Sequence, residues 1–271
     1  MSSERQTFRL GAVCFSPCYD EPEQAWPALE RSVRQAAAEG AQLICTPEDC
    51  FLGLVPDPTL EQIAHIREHC EEVPGGALFE RSAALARELG VHLVLCLDER
   101  ADEKLYKTAV FIGPRGEVIG RYRKVFLSPE PGVREDRAFS PGDRLCVFDL
   151  PFARVGIMIC FDRRLPEVAR ELARRGAQVI VCPAAALSER DLARMSFRAE
   201  DNGVFVMLIT PFGAAAFAPD GSTLAESARR ELGDPPATLV CDVNLSLCHT
   251  APCRRWQYFE LLERHKHVFS R

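Results

Sequence analysis

Hydrophobic positions along the chain follow two alternating rhythms. Short, nearly continuous apolar runs rich in Val, Ile and Leu recur at "FRLGAVCF" (8–15), "AQLICT" (41–46), "VHLVLCLD" (91–98), "TAVFIG" (108–113), "GEVIGRYRKV" (116–125), "RVGIMIC" (154–160), "AQVIVCP" (177–183), "GVFVMLIT" (203–210), "AAFAPDG" (215–221) and "ATLVCDV" (237–243). Runs of this length and composition predict strands. Between several of them lie longer segments with apolar residues every three or four positions: "EPEQAWPALERSVRQAAAEG", "GALFERSAALARELG", "LPEVARELARRG" and "SERDLARMSFRAEDNG". These predict amphipathic helices closed by glycine, the usual helix stop. Strands alternating with helices predict an α/β architecture in which helices cover sheet faces. No Gly/Ser linker or low-complexity run divides the chain, so residues 1–271 are expected to form one domain.

Two stretches echo each other. "AAAEGAQLICTPED", ending at Asp49, and "ARRGAQVIVCPAA", residues 173–185, share a helix end, a glycine, Ala-Gln, an apolar strand and a nearby proline. Two layers built by similar halves would explain the echo, although any helix-to-strand turn tends towards this pattern.

In an α/β sheet, reactive side chains belong at the carboxyl ends of strands, where loops converge and helix N-termini present partial positive charge. Cys160 is at such a point, between the strand pattern "RVGIMI" and a helix that starts with Pro166 and Glu167. A thiol there loses its proton more easily than in bulk water. A cysteine nucleophile needs a base. The six histidines do not supply a convincing one: His65 and His69 fall in a polar helix, His92 opens a strand, and His249, His265 and His267 lie in the C-terminal tail. Glu48, just beyond the end of "AQLICT", and Lys124, at the end of an alternating strand, can converge with Cys160 on one sheet edge. Such a trio suits the splitting of an amide-like carbon–nitrogen bond. Glu48 would take the thiol proton and return it to the leaving amine, while Lys124 would favour the thiolate and stabilise the oxyanion together with the backbone N–H of Phe161.

Composition narrows the classes. With 47% hydrophobic and 27% charged residues, the chain is an ordinary globular protein, and a net charge of −6 offers no basic stripe for nucleic acid. No signal-like leader or membrane-length apolar run occurs, so a cytoplasmic location and no membrane partner are expected. Thiols there stay reduced, and most of the twelve cysteines sit inside apolar runs as small hydrophobes. Cys248, His249 and Cys253 in "CHTAPC", and Cys45 with Cys50, lack a second pair at zinc-binding spacing, so no metal is expected.

Three blocks, in order, carry a family resemblance: "TPEDCFLG" around Glu48, "GRYRKVFL" around Lys124 and "GIMICFDRRLPEVAR" around Cys160. The chain resembles the nitrilase superfamily of carbon–nitrogen hydrolases over nearly its full length. That resemblance implies a four-layer α-β-β-α sandwich that pairs into a dimer or larger homo-oligomer, with no metal or organic cofactor. It implies a Cys-Lys-Glu triad acting on a small amide or N-carbamoyl compound through a cysteine thioester. It assigns Glu135, in "PGVREDRAFSPGD", as a second, substrate-side glutamate, and the tail 245–271, with "RRWQYFELLERHKHVF", as a segment for subunit contacts. "CFDRR" is similar to the run in N-carbamoyl amino acid hydrolases, which makes Arg163 and Arg164 candidate binders of a substrate carboxylate. Asp162 reads instead as a local cap or a salt-bridge partner. "AAALSER" after "AQVIVCP", the shortened "PFGAAAFAPDG", and "RAEDN" depart from the commoner pattern and leave the pocket's shape open. A soluble acyltransferase, or a binding protein that keeps the fold without catalysis, is the alternative.

Overall fold

The computed structural model describes residues 7–250, 259–260 and 263–265. The first half runs β1 (Thr7–Cys14), α1 (Trp26–Ala38), β2 (Leu43–Cys45), α2 (Leu60–His69), α3 (Ala77–Leu89), β3 (His92–Ala101), β4 (Lys104–Ile112) and β5 (Val118–Arg123). The second runs β6 (Val147–Asp149), β7 (Arg154–Ile157), α4 (Pro166–Arg174), β8 (Val179–Pro183), α5 (Glu189–Asn202), β9 (Phe205–Thr210), β10 (Gly213–Phe217) and β11 (Thr223–Glu226), before β12 (Ala237–Asn244) returns to the first sheet. The two six-stranded sheets have the orders β12-β1-β2-β3-β4-β5 and β11-β10-β9-β8-β7-β6.

Burial decides how the layers stack. Phe8, Leu10, Leu43, Val94 and Phe111 of one sheet share a core with Val155, Ile157, Val181 and Met207 of the other. The opposite face of the first sheet, through Val13, Ile44 and Leu95, packs on Leu29 and Val33 of α1 and Phe79 and Ala86 of α3. The outer face of the second, through Ile180, Val206 and Leu208, packs on Leu172 of α4 and Met195 and Ala199 of α5. The result is the expected α-β-β-α sandwich, in which both faces of the central strands are buried. That is why those strands read as unbroken apolar runs.

The echo between the halves is structural. β1, β2 and β3 run parallel, as do β7, β8 and β9. Gln42 and Gln178 do the same work at the start of each middle strand: their side-chain oxygens accept from the N–H groups of Arg9 (3.3 Å) and Arg154 (3.1 Å). Their main-chain oxygens accept from His92 and Phe205 on the third strand of each trio. Gly11 of β1 and Gly156 of β7 let the incoming chain pass close by, since a Cβ on either would lie 3.0 Å from the Cβ of Ala41 or Ala177.

Several boundaries differ from the pattern-based expectation. β3 and β4 form a longer hairpin, reaching Ala101 and starting at Lys104, because polar residues at its tip continue the ladder. The short edge strands β6 and β11 were too brief to register as apolar runs. The strand expected over 154–160 ends at Ile157, leaving Cys160 in the turn beyond it. The polar helix carrying His65 and His69 is α2, capped by reciprocal bonds between Thr59 and Gln62. Of the tail 245–271, residues 251–258, 261–262 and 266–271 lie outside the described residues.

Candidate active site

Glu48 is placed by a short extension of β2 along β3: the Thr46 N–H donates to Val94 O, the Cys50 N–H donates to Cys96 O, and the Thr46 hydroxyl accepts from the Cys96 N–H. Lys124 follows directly on β5, and its N–H donates to Lys107 O (2.9 Å) across to β4. Glu135 opens a single 3-10 turn, Glu135–Arg137. Its carboxylate accepts from the Ser128 N–H (2.6 Å), which folds the intervening loop back over Lys124.

These three side chains meet. Lys124 Nζ donates to Glu48 Oε1 at 2.8 Å and Glu135 Oε1 at 2.7 Å, and all three side chains are almost completely buried. The two carboxylates hold Lys124 firmly as a cation against the cost of burial, well above the ordinary lysine range. Glu48 Oε2 is buried and has no hydrogen-bond partner among the described residues. A buried acceptor left free in a native site calls for an explanation, and a proton donor arriving during chemistry supplies one.

Cys160 begins the 3-10 turn Cys160–Arg164 and adopts φ +47°, the left-handed region that costs a non-glycine residue about 1 kcal/mol or more. Strain of this kind is typical of a side chain aimed by its surroundings. The first N–H bonded within the turn is that of Asp162, to Ile159 O, and Phe161 precedes it. The thiol is pushed up to about 11, first by burial and then by the Glu48 carboxylate, while the Lys124 and Arg163 cations pull it down. The resting group is therefore a thiol at neutral pH, and it needs a base before it can attack.

Asp162 is the turn's anchor. Its carboxylate accepts from the Ile159 N–H (2.8 Å), the Phe126 N–H (3.0 Å) and the Tyr122 hydroxyl (2.7 Å), which joins the cysteine turn to the segment that carries Lys124. Of the two readings from sequence, local cap or salt-bridge partner, the cap is the one formed among the described residues. Its long-range half, through Tyr122 two residues before Lys124, had only the alternation of "GRYRK" as a signal.

The two arginines occupy different environments. Arg163 is buried, donates from Nε to Asp191 Oδ1 (3.0 Å), and donates from Nη1 to Cys160 Sγ (3.2 Å). Arg164 is partly exposed, pairs with Glu130, and stacks its guanidinium 5.4 Å from the Phe161 ring centre. Asp191, which Arg163 needs for its charge, was absent from the sequence reading; its place in the cap of α5, where Ser188 holds it, hid it among helix-start residues. Lys107, Asp49 and Asp98 form a second buried ionic group close by, also unforeseen. Cys45 and Cys50 are buried in different hydrophobic clusters, and Cys253 lies outside the described residues.

The family profile for carbon-nitrogen hydrolases matches residues 9–252. The chain is 36% identical over 200 residues to a nitrilase of Pyrococcus abyssi (strain GE5 / Orsay), covering 73% of each chain. It is 33% identical over 190 residues to the omega-amidase NIT2 of Homo sapiens, covering 66% of each, so the matched stretch spans about two thirds to three quarters of these relatives. Among solved structures, a carbon-nitrogen hydrolase from Helicobacter pylori G27 superposes with a TM-score of 0.81 at 19% identity, covering 98% of this chain and 99% of that one. A mutant of the amidase from Nesterenkonia AN1, of the nitrilase superfamily, superposes with a TM-score of 0.74 at 25% identity, covering 95% and 96%. The chain belongs to the carbon–nitrogen hydrolase family, the nitrilase superfamily. It is an enzyme of that hydrolase class, and among the described residues no helix is long and apolar enough to cross a membrane.

Proposed function

We propose that the enzyme cleaves the non-peptide carbon–nitrogen bond of a small amide or N-carbamoyl compound through a thioester at Cys160. The observation that carries this reading is the junction of a lysine held between Glu48 and Glu135, a free buried oxygen on Glu48, and a thiol that needs a base. Glu48 Oε2 takes the Sγ proton as sulfur attacks the carbonyl carbon. The C–O π electrons move to oxygen, where Lys124 Nζ and the Phe161 N–H balance the charge. The oxyanion collapses, the carbon–nitrogen bond breaks, and the proton on Glu48 passes to the departing nitrogen, which leaves as ammonia or an amine. Water then attacks the thioester with Glu48 as base, and the acid product leaves with Cys160 restored.

Glu135 acts by fixing Lys124 on the substrate side. Arg163 stabilises the thiolate from its place against Sγ. Arg164, whose partner Glu130 is itself exposed, is the arginine free to turn towards a substrate carboxylate. The names of the amidase relatives support an amide carbonyl as the target, and the "CFDRR" run supports a carbamoyl compound bearing a carboxylate. The test is ammonia release from ω-amides, N-carbamoyl amino acids, N-carbamoyl amines and nitriles, with native chain and Cys160→Ala in parallel. Turnover by the native chain alone supports the reading; full turnover by Cys160→Ala overturns it.

A further inference from the structure

Directly behind the Glu48–Lys124 pair lies a second lysine that the proposed chemistry does not use. Lys107 of β4 is almost fully buried, as are Asp49 and Asp98. Its ammonium pairs with Asp49, lies 3.7 Å from Asp98 Oδ1, and sits 4.3 Å over the Phe139 ring. Both acids keep one buried oxygen without a hydrogen-bond partner among the described residues, Asp49 Oδ1 and Asp98 Oδ1.

Two links tie this group to the active pair. The main-chain oxygen of Lys107 accepts from the N–H of Lys124, so the two lysines share one ladder bond. Asp49 follows Glu48 in sequence and takes φ +49°, so the chain reverses between them and the two acids reach different lysines. The pairing of Asp49 with Lys107 holds that unfavourable turn in place, and with it the aim of Glu48.

Charge balance adds a second role. Glu48, Glu135, Asp49 and Asp98 face Lys107 and Lys124, an excess of two negative charges if every group ionises. A buried site does not hold such an excess, so protons enter it. Burial pushes the Asp49 carboxyl up to about 7 and Asp98 above the ordinary carboxylate range. The other titratable groups packed around the cluster are the thiols of Cys50, Cys70 and Cys96, which burial keeps protonated.

Resting on the function proposed above, we infer that Lys107, clamped by Asp49 and Asp98, is a positioning residue that aims the Glu48–Lys124 pair and sets the field in which Glu48 works as the base. Asp49 and Asp98 take up the surplus protons, so the cation of Lys107 faces Glu48 uncancelled at acid pH.

The test follows alkylation of Cys160 by iodoacetamide against pH, located by peptide mass spectrometry, beside kcat and KM on an amide that the native chain turns over. Lys107→Met should lower kcat by about 10²-fold with little change in KM, the size expected of misplaced catalytic groups. It should also move the acid limb of the alkylation profile upward by about one pH unit, because a cation beside Glu48 is lost. Asp98→Asn keeps the fold's shape and the Lys107 cation, and its acid limb should stay or move down. A native-like acid limb in folded Lys107→Met, or an upward shift in both variants, overturns the inference. If Lys107→Met does not fold, Asp98→Asn decides alone by the sign of its shift. Alkylation needs no substrate, so a chain that hydrolyses none of the amides but shows these shifts would fail the functional reading and leave this one standing.

Discussion

Two lysines are buried among the described residues, each held by two acids, and they differ in what lies beside them. Lys124 stands between Glu48 and Glu135 with Cys160 within its electrostatic reach, whereas Lys107 stands between Asp49 and Asp98 with an aromatic ring over it, behind the Glu48–Lys124 pair. The chemistry of the ions is the same, so position separates the roles. A cation at the loop edge of the sheets can meet a developing oxyanion; one a strand further in can only set geometry and field. Buried ion pairs are weak evidence for stability in themselves, because desolvation offsets much of their attraction. Two of them back to back in one sheet are better explained by the chemistry proposed at Cys160.

The contrast can be broken by substitution. The largest effect is expected from Glu48→Gln, which keeps the shape and removes the proposed base. Ammonia release should fall by about 10²–10⁴-fold, as expected for loss of a general base. A loss of less than tenfold would shift the base role elsewhere.

Glu135→Gln should cost less, about 10-fold to 10²-fold in kcat, since it loosens Lys124 without removing any group from the proton path. Steady-state kinetics that showed a KM effect alone would make Glu135 a binding residue instead.

Arg163→Met probes the second cation that acts on Cys160. It leaves Asp191 with Arg194 (2.9 Å) and the Ser188 hydroxyl as partners, so the stability loss should stay at about 1–3 kcal/mol, visible in denaturant unfolding. It should also raise the pH at which Cys160 is alkylated, because the cation against Sγ is gone.

Asp49→Asn sharpens the difference between the lysines through pH. A carboxyl raised to about 7 in the folded chain, from an ordinary 3.8, stabilises the fold fully below the ordinary value. That contribution is lost as pH rises towards 7. The stability of Asp49→Asn relative to the native chain should therefore improve between pH 4 and pH 8, as read from paired melting curves. A constant difference across that range would mean that Asp49 is ionised throughout.

The smallest effect is expected from Tyr122→Phe. It removes one hydrogen bond to the buried Asp162 carboxylate and should lower stability by about 1–3 kcal/mol with a modest loss of kcat.

What the sequence made legible follows from physics that is local in the chain. The central strands announce themselves because both faces are buried, and Glu48, Lys124 and Cys160 could be picked out because each stands just past a strand end. The Ala-Gln echo was legible for a concrete reason: Gln42 and Gln178 each tie three strands together at equivalent points. The groups that escaped are defined by partners far away in sequence. Lys107 in "KLYKTAV" looks like an exposed strand residue until β3 and the loop after β2 close over it. Arg163 reads as a candidate carboxylate binder, and nothing near it in sequence announces Asp191, 28 residues on, which holds its guanidinium. Strand β6, three residues long with half-exposed side chains, offered no apolar pattern at all.

The central claim is that Cys160 forms the covalent intermediate. The most direct measurement is acid-quenched mass spectrometry during steady-state turnover of an amide that the native chain hydrolyses, with peptide mapping. An acyl mass increment confined to the peptide that contains Cys160, absent from Cys160→Ala, is the predicted result. An increment on another of the cysteines, or undiminished hydrolysis by Cys160→Ala, would contradict it.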